Sequence, residues 1–349
     1  MKASVYRGPG QVRCEEVPKP TLPADGVMLK VTACGICGSD LRTYRHGMRG
    51  NLNFQILGHE ISGVVDEVGA QVTDYQVGDR LAVAADIHCH QCYYCKKALY
   101  NLCENWQLIG THQPGGMAEY MLLTHEILTH GIIHRIPDTL EDLPSALAEP
   151  SSSVIWAQQI LQIEPGDLVV VFGDGPIGAL HVQVARARGA KAVVVGLTGE
   201  RLDMFRQREL GALRVFDNNT HDVVAEVKAL TGGRGADVAI VAAPAKSPQA
   251  QAVNLVRKRG KVALFGGLPK TDPLTELDSN RIHYDEISVI GTFSYHPDIH
   301  GVALDMLDRR LIQADKIITA TFPITETAAA FEAALQAREL KVVIIPNGN

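Results

Sequence analysis

Leu168-Val169-Val170-Val171-Phe172 runs straight into Gly173-Asp174-Gly175-Pro176-Ile177-Gly178, and Ala179 to Arg188 then carries Ala and Val at helical spacing. A buried strand, glycines spaced G-x-G-x-x-G and an amphipathic helix admit few architectures. The first glycine makes a tight turn, the second lets the backbone approach a pyrophosphate, and the third lets the helix pack on the strand. The helix N-terminus then faces negative charge. The motif alone is weak, because a Gly-rich turn can exist without a ligand. Here the required strand and helix are both present, and the strand–helix alternation continues through Lys191–Val195, Val238–Val241 and Lys261–Phe265. We therefore expect a doubly wound α/β dinucleotide-binding domain over residues 153–290, with Gly173, Gly175, Pro176, Ile177 and Gly178 at the cofactor.

One part of that pattern is missing. An acidic residue about 20 residues on, at the end of the second strand, normally binds the adenosine ribose hydroxyls. That end reads Gly196-Leu197-Thr198-Gly199-Glu200-Arg201, with Gly196 where the acid would sit. Losing the carboxylate removes the repulsion that excludes a 2′-phosphate, and Arg201 or Thr198 could contact one. Arg201 could equally pack beside the adenine, so NAD and NADP are both compatible with the sequence.

Upstream, Cys34-Gly35-Ile36-Cys37-Gly38-Ser39-Asp40 and Gly58-His59-Glu60 offer a thiolate, an imidazole and a carboxylate within one short segment. That mixture of soft and borderline donors suits zinc better than magnesium, calcium or an iron–sulfur cluster. A catalytic zinc keeps one position for water or substrate, whereas structural zinc is closed by four ligands. Cys37 and His59 are the expected ligands, with Glu60 and the distant Glu149, in Ala148-Glu149-Pro150, as candidates for a third. Three anionic ligands at once would weaken the dication as a Lewis acid. One carboxylate is thus expected to ligate and the other to hydrogen-bond the water held there. Asp40 is placed to accept the free N–H of His59. The competing reading of Cys34 and Cys37 as a redox pair lacks a framing Trp or Pro, and Cys34 reads as a small buried apolar residue.

Cys89-x-x-Cys92-x-x-Cys95 followed by Cys103 is a second metal pattern. Four thiols separated by two, two and seven residues make a closed tetrahedral zinc site whose role is to fold its lobe. His88 and His90 flank the first thiol as substitutes, and an iron–sulfur cluster is the other reading. A complete thiolate set beside a second zinc motif favours structural zinc.

At 349 residues two domains are the prior, and 46% hydrophobic with 21% charged residues describes an ordinary globular protein. A net charge of −6, spread along the chain, argues against nucleic acid as partner. No apolar run approaches bilayer-spanning length and the start lacks a secretory signal, so a cytoplasmic protein without a membrane partner is expected. Residues 1–152 carry short strands and turns, and after Gly291-Thr292-Phe293-Ser294-Tyr295 the alternation stops. The tail, 291–349, reads as a long helix and strands that return to complete the first domain.

Taken together, the chain resembles the zinc-containing medium-chain dehydrogenase/reductase family, nearest its polyol (sorbitol or L-iditol) dehydrogenase branch. The carrying motifs are Cys37-Gly-Ser-Asp40, Gly58-His-Glu-Ile-Ser-Gly63, Val77-Gly-Asp-Arg80, the four-Cys lobe, Gly115-Gly-Met-Ala-Glu-Tyr120, Ala148-Glu-Pro150 and the nucleotide turn. The resemblance implies a GroES-like β-barrel catalytic domain in two chain segments and a Rossmann domain between them. It also implies zinc with NAD or NADP, Phe293 among the cofactor contacts, and a homodimer or homotetramer. Two departures argue against sorbitol itself. Leu41-Arg42-Thr43-Tyr44 follows Asp40 where sorbitol dehydrogenases carry a His and then a Tyr, and Ser294 stands where they carry a polyol-binding Arg.

The expected reaction is reversible oxidation of a secondary alcohol of a polyol, sugar or sugar acid to a ketone. Zinc lowers the pKa of an oxygen it binds, Ser39 beside Cys37 is placed to take the proton, and Glu149 can orient the reacting group or share the transfer. For Ser39 the plainer reading is a turn-forming hydroxyl. Arg42, Arg45, His46 and Arg49 form a basic cluster that is either a solvated loop or a contact for an anionic substrate such as a sugar phosphate or sugar acid. Threonine dehydrogenase-like or simple secondary-alcohol chemistry is the nearest alternative. A non-catalytic nucleotide- and zinc-binding scaffold is the remote one, since a scaffold has no need of the Cys37–His59–carboxylate set.

Overall fold

A computed structural model describes residues 1–48, 54–197 and 199–347. Arg49 and Thr198 lie outside the described residues. The chain divides into two units, one of Met1–Ser152, Tyr295–Arg310 and Ile318–Asn349, the other of Ser153–Ser294 and Leu311–Ile317.

The first unit is built on β-sheet. A three-stranded antiparallel sheet (Gln11–Glu16, Lys2–Gly8, Gln55–Ile56) accompanies an eight-stranded curled sheet. Along the latter run Ile318–Pro323, Lys341–Ile345, Val27–Gly35, Glu60–Val68, Arg80–Ile87 and Gln107–Leu108, with Tyr120–Leu123 and Gly131–Arg135 pairing to its sides. Val27–Gly35 is central because its sequence, VMLKVTACG, is apolar on both faces apart from Lys30 and Thr32 and is buried on both elsewhere. Strands from residue 318 onward therefore complete a sheet begun by the first segment. The expected long tail helix is instead separate helices, Asp298–Asp308 and Thr327–Leu335, with the short Ala314–Ile317 between them. Pro323 and the strand Ile318–Pro323 intervene, so the helical pattern cannot run through.

The second unit holds a six-stranded, all-parallel sheet. Its order is Arg214–Asp217, Lys191–Gly196, Leu168–Phe172, Ala236–Val241, Val256–Leu264, Ser288–Gly291. Numbered within the unit this is 3-2-1-4-5-6, the dinucleotide-binding order in which the sequence of strands reverses beside Leu168–Phe172. The inner strands Lys191–Gly196, Leu168–Phe172 and Ala236–Val241 are near-continuous runs of Val, Ile, Leu and Ala, whereas Val256–Leu264 is apolar mainly at its C-terminal end. The edge strands Arg214–Asp217 and Ser288–Gly291 are only four residues each and escaped the sequence reading.

The glycine turn sits at that reversal. Gly173 has φ of +138°, and helix Pro176–Ala187 starts at Gly175 with Pro in its first position, where a missing N–H costs nothing. A Cβ on Gly178 would lie 2.0 Å from the Gly173 carbonyl oxygen, so only glycine allows the helix this close to the strand.

Candidate active site

Cys37 precedes helix Gly38–His46, and its N–H is accepted by Asp40 Oδ2 at 2.9 Å, which fixes the turn that presents the thiol. His59 comes from the loop before Glu60–Val68. Gly58 there has φ of +94°, and a Cβ on it would strike Cys34 Sγ at 2.5 Å. The backbone of Gly116 and Met117 binds the Gly58 and Leu57 carbonyls at 3.0 Å each. Thus the Gly115-Gly116 motif braces the histidine loop from one side and buried Cys34 supports it from the other, as a small apolar group. Glu149 lies in the first turn of helix Ala148–Ile160. Arg80, of the Val77-Gly-Asp-Arg motif, anchors the segment leading to that helix through Asp142 Oδ1 (2.8 Å from Nε) and the Pro137 carbonyl (3.2 Å).

These elements bring Cys37, Ser39, His59, Glu60 and Glu149 together, His59 and Glu60 buried and the other three half-buried. Ser39 Oγ is 3.3 Å from His59 Nε2. Asp40 Oδ1 faces His59 Nδ1 at 3.8 Å, an ionic approach longer than a hydrogen bond. Burial alone would lower the His59 pKa, but Asp40, Cys37 and Glu149 outweigh it and hold the imidazole well above its ordinary value. Burial, reinforced by Glu60 and Asp86, pushes Glu149 up to about 7. Tyr295 donates its hydroxyl to Glu149 Oε1 at 2.9 Å. Glu60 is ion-paired with Lys341, and its Oε1 has no hydrogen-bond partner among the described residues.

Three participants escaped the sequence reading. Asp86 had a signal, an acid within the buried run Ala82-Val83-Ala84-Ala85-Asp86-Ile87. Tyr295 had its place in the Gly-x-Phe-x-Tyr segment. Lys341 had none, since its partner lies 281 positions earlier in the chain.

A largely buried group that contains one thiol and four carboxyls, Cys37, Asp40, Glu60, Asp86 and Glu149, against Lys341 and a proton-seeking His59 is short of positive charge. It suits a dication held by sulfur, nitrogen and oxygen donors. Those donors are not as tightly gathered as the second set. Among the described residues, Cys89, Cys92, Cys95 and Cys103 are the group whose ligand atoms all lie within 4.8 Å of one another. Cys89 Sγ is 3.4 Å from Cys103 Sγ and 4.0 Å from Cys95 Sγ, near the roughly 3.8 Å edge of a tetrahedron with Zn–S of about 2.3 Å. Backbone N–H groups of Gln91 and Cys92 lower the Cys89 thiol to about 6, preparing it as a thiolate. His88 and His90 stay outside this group, His88 buried and lowered to about 4 by desolvation.

The chain matches the alcohol dehydrogenase GroES-like domain over residues 23–138 and the zinc-binding dehydrogenase domain over residues 176–309. It is 34% identical over 349 residues to a sorbitol dehydrogenase of Halalkalibacterium halodurans, covering 99% of each chain. The chain belongs to the zinc-containing medium-chain dehydrogenase/reductase family. It is accordingly a zinc-dependent dehydrogenase that exchanges hydride between a CH–OH carbon and NAD(P). The dehydrogenase is also 34% identical over 354 residues to a D-arabitol-phosphate dehydrogenase of Enterococcus avium, covering 99% of this chain and 98% of that one. A solved structure from Sinorhizobium meliloti, described as a zinc-binding dehydrogenase bound to NADP, matches with a TM-score of 0.90 at 30% identity over 99% of both chains.

In the dinucleotide-binding unit of the dehydrogenase, Gly173, Gly175, Pro176, Ile177 and Gly178 form the turn and helix start, and Gly196 ends its strand beside them. Arg201 lies on helix Gly199–Gln207, and exposed Phe293 follows the C-terminal end of Ser288–Gly291, the side on which such sheets bind ligands. Arg42, Arg45 and His46 are exposed on helix Gly38–His46, whose Leu41 and Tyr44 pack on the core. No helix among the described residues is long and apolar enough to cross a membrane.

Proposed function

We propose that this dehydrogenase oxidises a secondary alcohol of a polyol, sugar or sugar acid to the ketone, reversibly, with Cys37, His59 and Glu149 holding the catalytic zinc. The observation that carries the ligand choice is the contrast between two carboxylates. Glu60 is already paired with the Lys341 ammonium, whereas Glu149 has no lysine or arginine ion pair among the described residues and is raised to about 7 by burial, with Glu60 adding to the rise and His59 only partly offsetting it. A carboxylate neutralised by an ammonium is the poorer metal donor.

Zinc, when bound, supplies the Lewis acidity that lets an alcohol hydroxyl lose its proton before hydride leaves the carbon. Ser39 Oγ, beside the proposed ligands, would accept that proton while passing its own hydroxyl proton on toward the cofactor ribose and solvent, and Tyr295 holds the Glu149 carboxyl in place. Gly173, Gly175, Pro176, Ile177 and Gly178, with Gly196, Arg201 and Phe293 alongside, would hold a dinucleotide, whose nicotinamide would supply the hydride acceptor. Cys89, Cys92, Cys95 and Cys103 bind the structural zinc. The dehydrogenase works in the cytoplasm as a homodimer or homotetramer, on a small molecule rather than on nucleic acid or membrane.

The sorbitol and D-arabitol-phosphate relatives support a polyhydroxylated substrate, and exposed Arg42, Arg45 and His46 give a phosphorylated one somewhere to bind. The test is a screen of polyols, their phosphates, sugar acids, L-threonine and simple secondary alcohols with each nicotinamide cofactor, following its reduction. Turnover only of L-threonine or of simple alcohols would overturn the substrate class. Cys37→Ala and His59→Ala should each abolish turnover while circular dichroism is unchanged. Wild-type turnover by the Cys37 variant would refute the ligand set.

A further inference from the structure

We propose that Asp174, between the first two glycines of the turn, supplies the acid that Gly196 lacks and selects NAD(H) over NADP(H). Strands Leu168–Phe172 and Lys191–Gly196 run parallel with Phe172 beside Val195, and the Gly173 N–H binds the Val195 carbonyl at 2.9 Å. The next residue, Asp174, therefore stands beside the end of the second strand. Its Oδ2 accepts the Leu197 N–H at 3.0 Å. A Cβ built on Gly196 would lie 2.4 Å from Asp174 Oδ2 and 2.7 Å from Asp174 Cβ. The carboxylate thus fills the space a side chain at 196 would take. An acid at that strand end ordinarily accepts the ribose hydroxyls and repels a 2′-phosphate. Here the same corner receives its carboxylate from the neighbouring strand, and glycine at 196 is what admits it.

Arg201 occupies a consistent place. Its Nη1 is 3.7 Å from where a Cβ on Gly175 would stand, so the guanidinium lies over the turn, partly buried, where burial lowers its pKa and the Asp174 charge partly offsets that. That assigns Arg201 to the turn and its pyrophosphate. The role in selecting a 2′-phosphate, the other reading of this residue, is not the one its position favours.

The inference depends on the dinucleotide site alone and is independent of the alcohol substrate and of the zinc ligands. The experiment measures Kd of NADH and NADPH for the full-length protein from nicotinamide fluorescence, without substrate. Wild type should bind NADH at least about tenfold more tightly, the effect of a hydrogen bond to a charged group. Asp174→Asn keeps an acceptor for the Leu197 N–H but not the charge, and should bring the two affinities within about threefold of each other. Arg201→Ala should weaken both by a similar factor and keep the preference. Equal or tighter NADPH binding by wild type, an unchanged ratio in Asp174→Asn, or selective loss of NADPH in Arg201→Ala would each overturn the assignment. Should the Asn variant misfold, calorimetry of wild type with ADP-ribose and its 2′-phosphate decides, equal affinities counting against. Binding of neither nucleotide would overturn it together with the dinucleotide site.

Discussion

Lys341→Met is the substitution most informative about how the site is held. Lys341 is 3% exposed and Glu60 fully buried, and the ammonium also donates to the Ile36 carbonyl at 2.9 Å. Sheet register creates the pair, since Val343 lies opposite Gly35, and Gly35 in turn opposite Glu60. Gly35 leaves the gap they cross, because a Cβ there would sit 1.9 Å from Glu60 Oε2 and 2.9 Å from Lys341 Cε. Met keeps most of the stem length and removes the charge, which strands a buried carboxylate. Breaking such a pair costs about 3–5 kcal/mol, against about 0–1 kcal/mol for an exposed one. Adding Glu60→Gln removes the stranded charge and should recover most of the loss, since replacing both partners of a buried pair is often near neutral. Urea unfolding of the zinc-loaded protein measures both variants, provided m is unchanged. A loss below about 1 kcal/mol for Lys341→Met, or a double variant no more stable than the single, would refute the reasoning.

Acid should destabilise the protein through buried neutral histidines. Burial lowers His300, 3.0 Å from His134 Nδ1, and His181, beside Phe265, each to about 3. The folded chain then refuses a proton that the unfolded chain accepts near pH 6.5. The stability they contribute is present above that pH and lost as pH falls toward 3, by about 2 kcal/mol per group at about pH 5. Denaturation midpoints at about pH 8 and pH 5 check this, His300→Gln should flatten the decline, and pH-independent wild-type midpoints would contradict it. At the other metal set, Cys103→Ser should lower zinc from about two ions per chain to about one and reduce the unfolding midpoint, because structural zinc contributes directly to folding. Metal analysis after gel filtration decides, and an unchanged zinc content would sink the four-thiol assignment.

What could be read from the sequence was local. The glycine turn declares itself because strand, glycines and helix are contiguous, and the four thiols because a lobe of fifteen residues holds them all, Cys89 to Cys103. The sheet cores followed for the same reason, since runs such as Leu168–Phe172 are apolar on both faces. The edge strand Arg214–Asp217 was missed because an edge is half solvated and its four residues mix charge with Val and Phe. Glu60 and Lys341 could not be matched, because their meeting depends on two successive strand registers. Gly196 was read as an absence, and only the geometry at the strand end shows what fills the gap.

The placement of Lys341 bears on how reactive the proposed zinc can be. With Cys37 as thiolate and Glu149 as carboxylate, two negative charges meet two positive ones, and His59 adds a neutral donor. A third anionic ligand from Glu60 would make the set net negative and weaken its pull on an alcohol oxygen. Glu60 comes from the residue next to His59, so the strand cannot move it far, and turning it toward the metal would leave Lys341 as an unpaired buried cation. The lysine therefore acts against over-neutralisation by giving the second carboxylate a partner it is costly to abandon. That is also why the glycine at 35, which carries no chemistry, belongs to the site as much as the ligands do. A side chain at 35 would keep the two charges apart and leave Glu60 free to turn toward the proposed zinc.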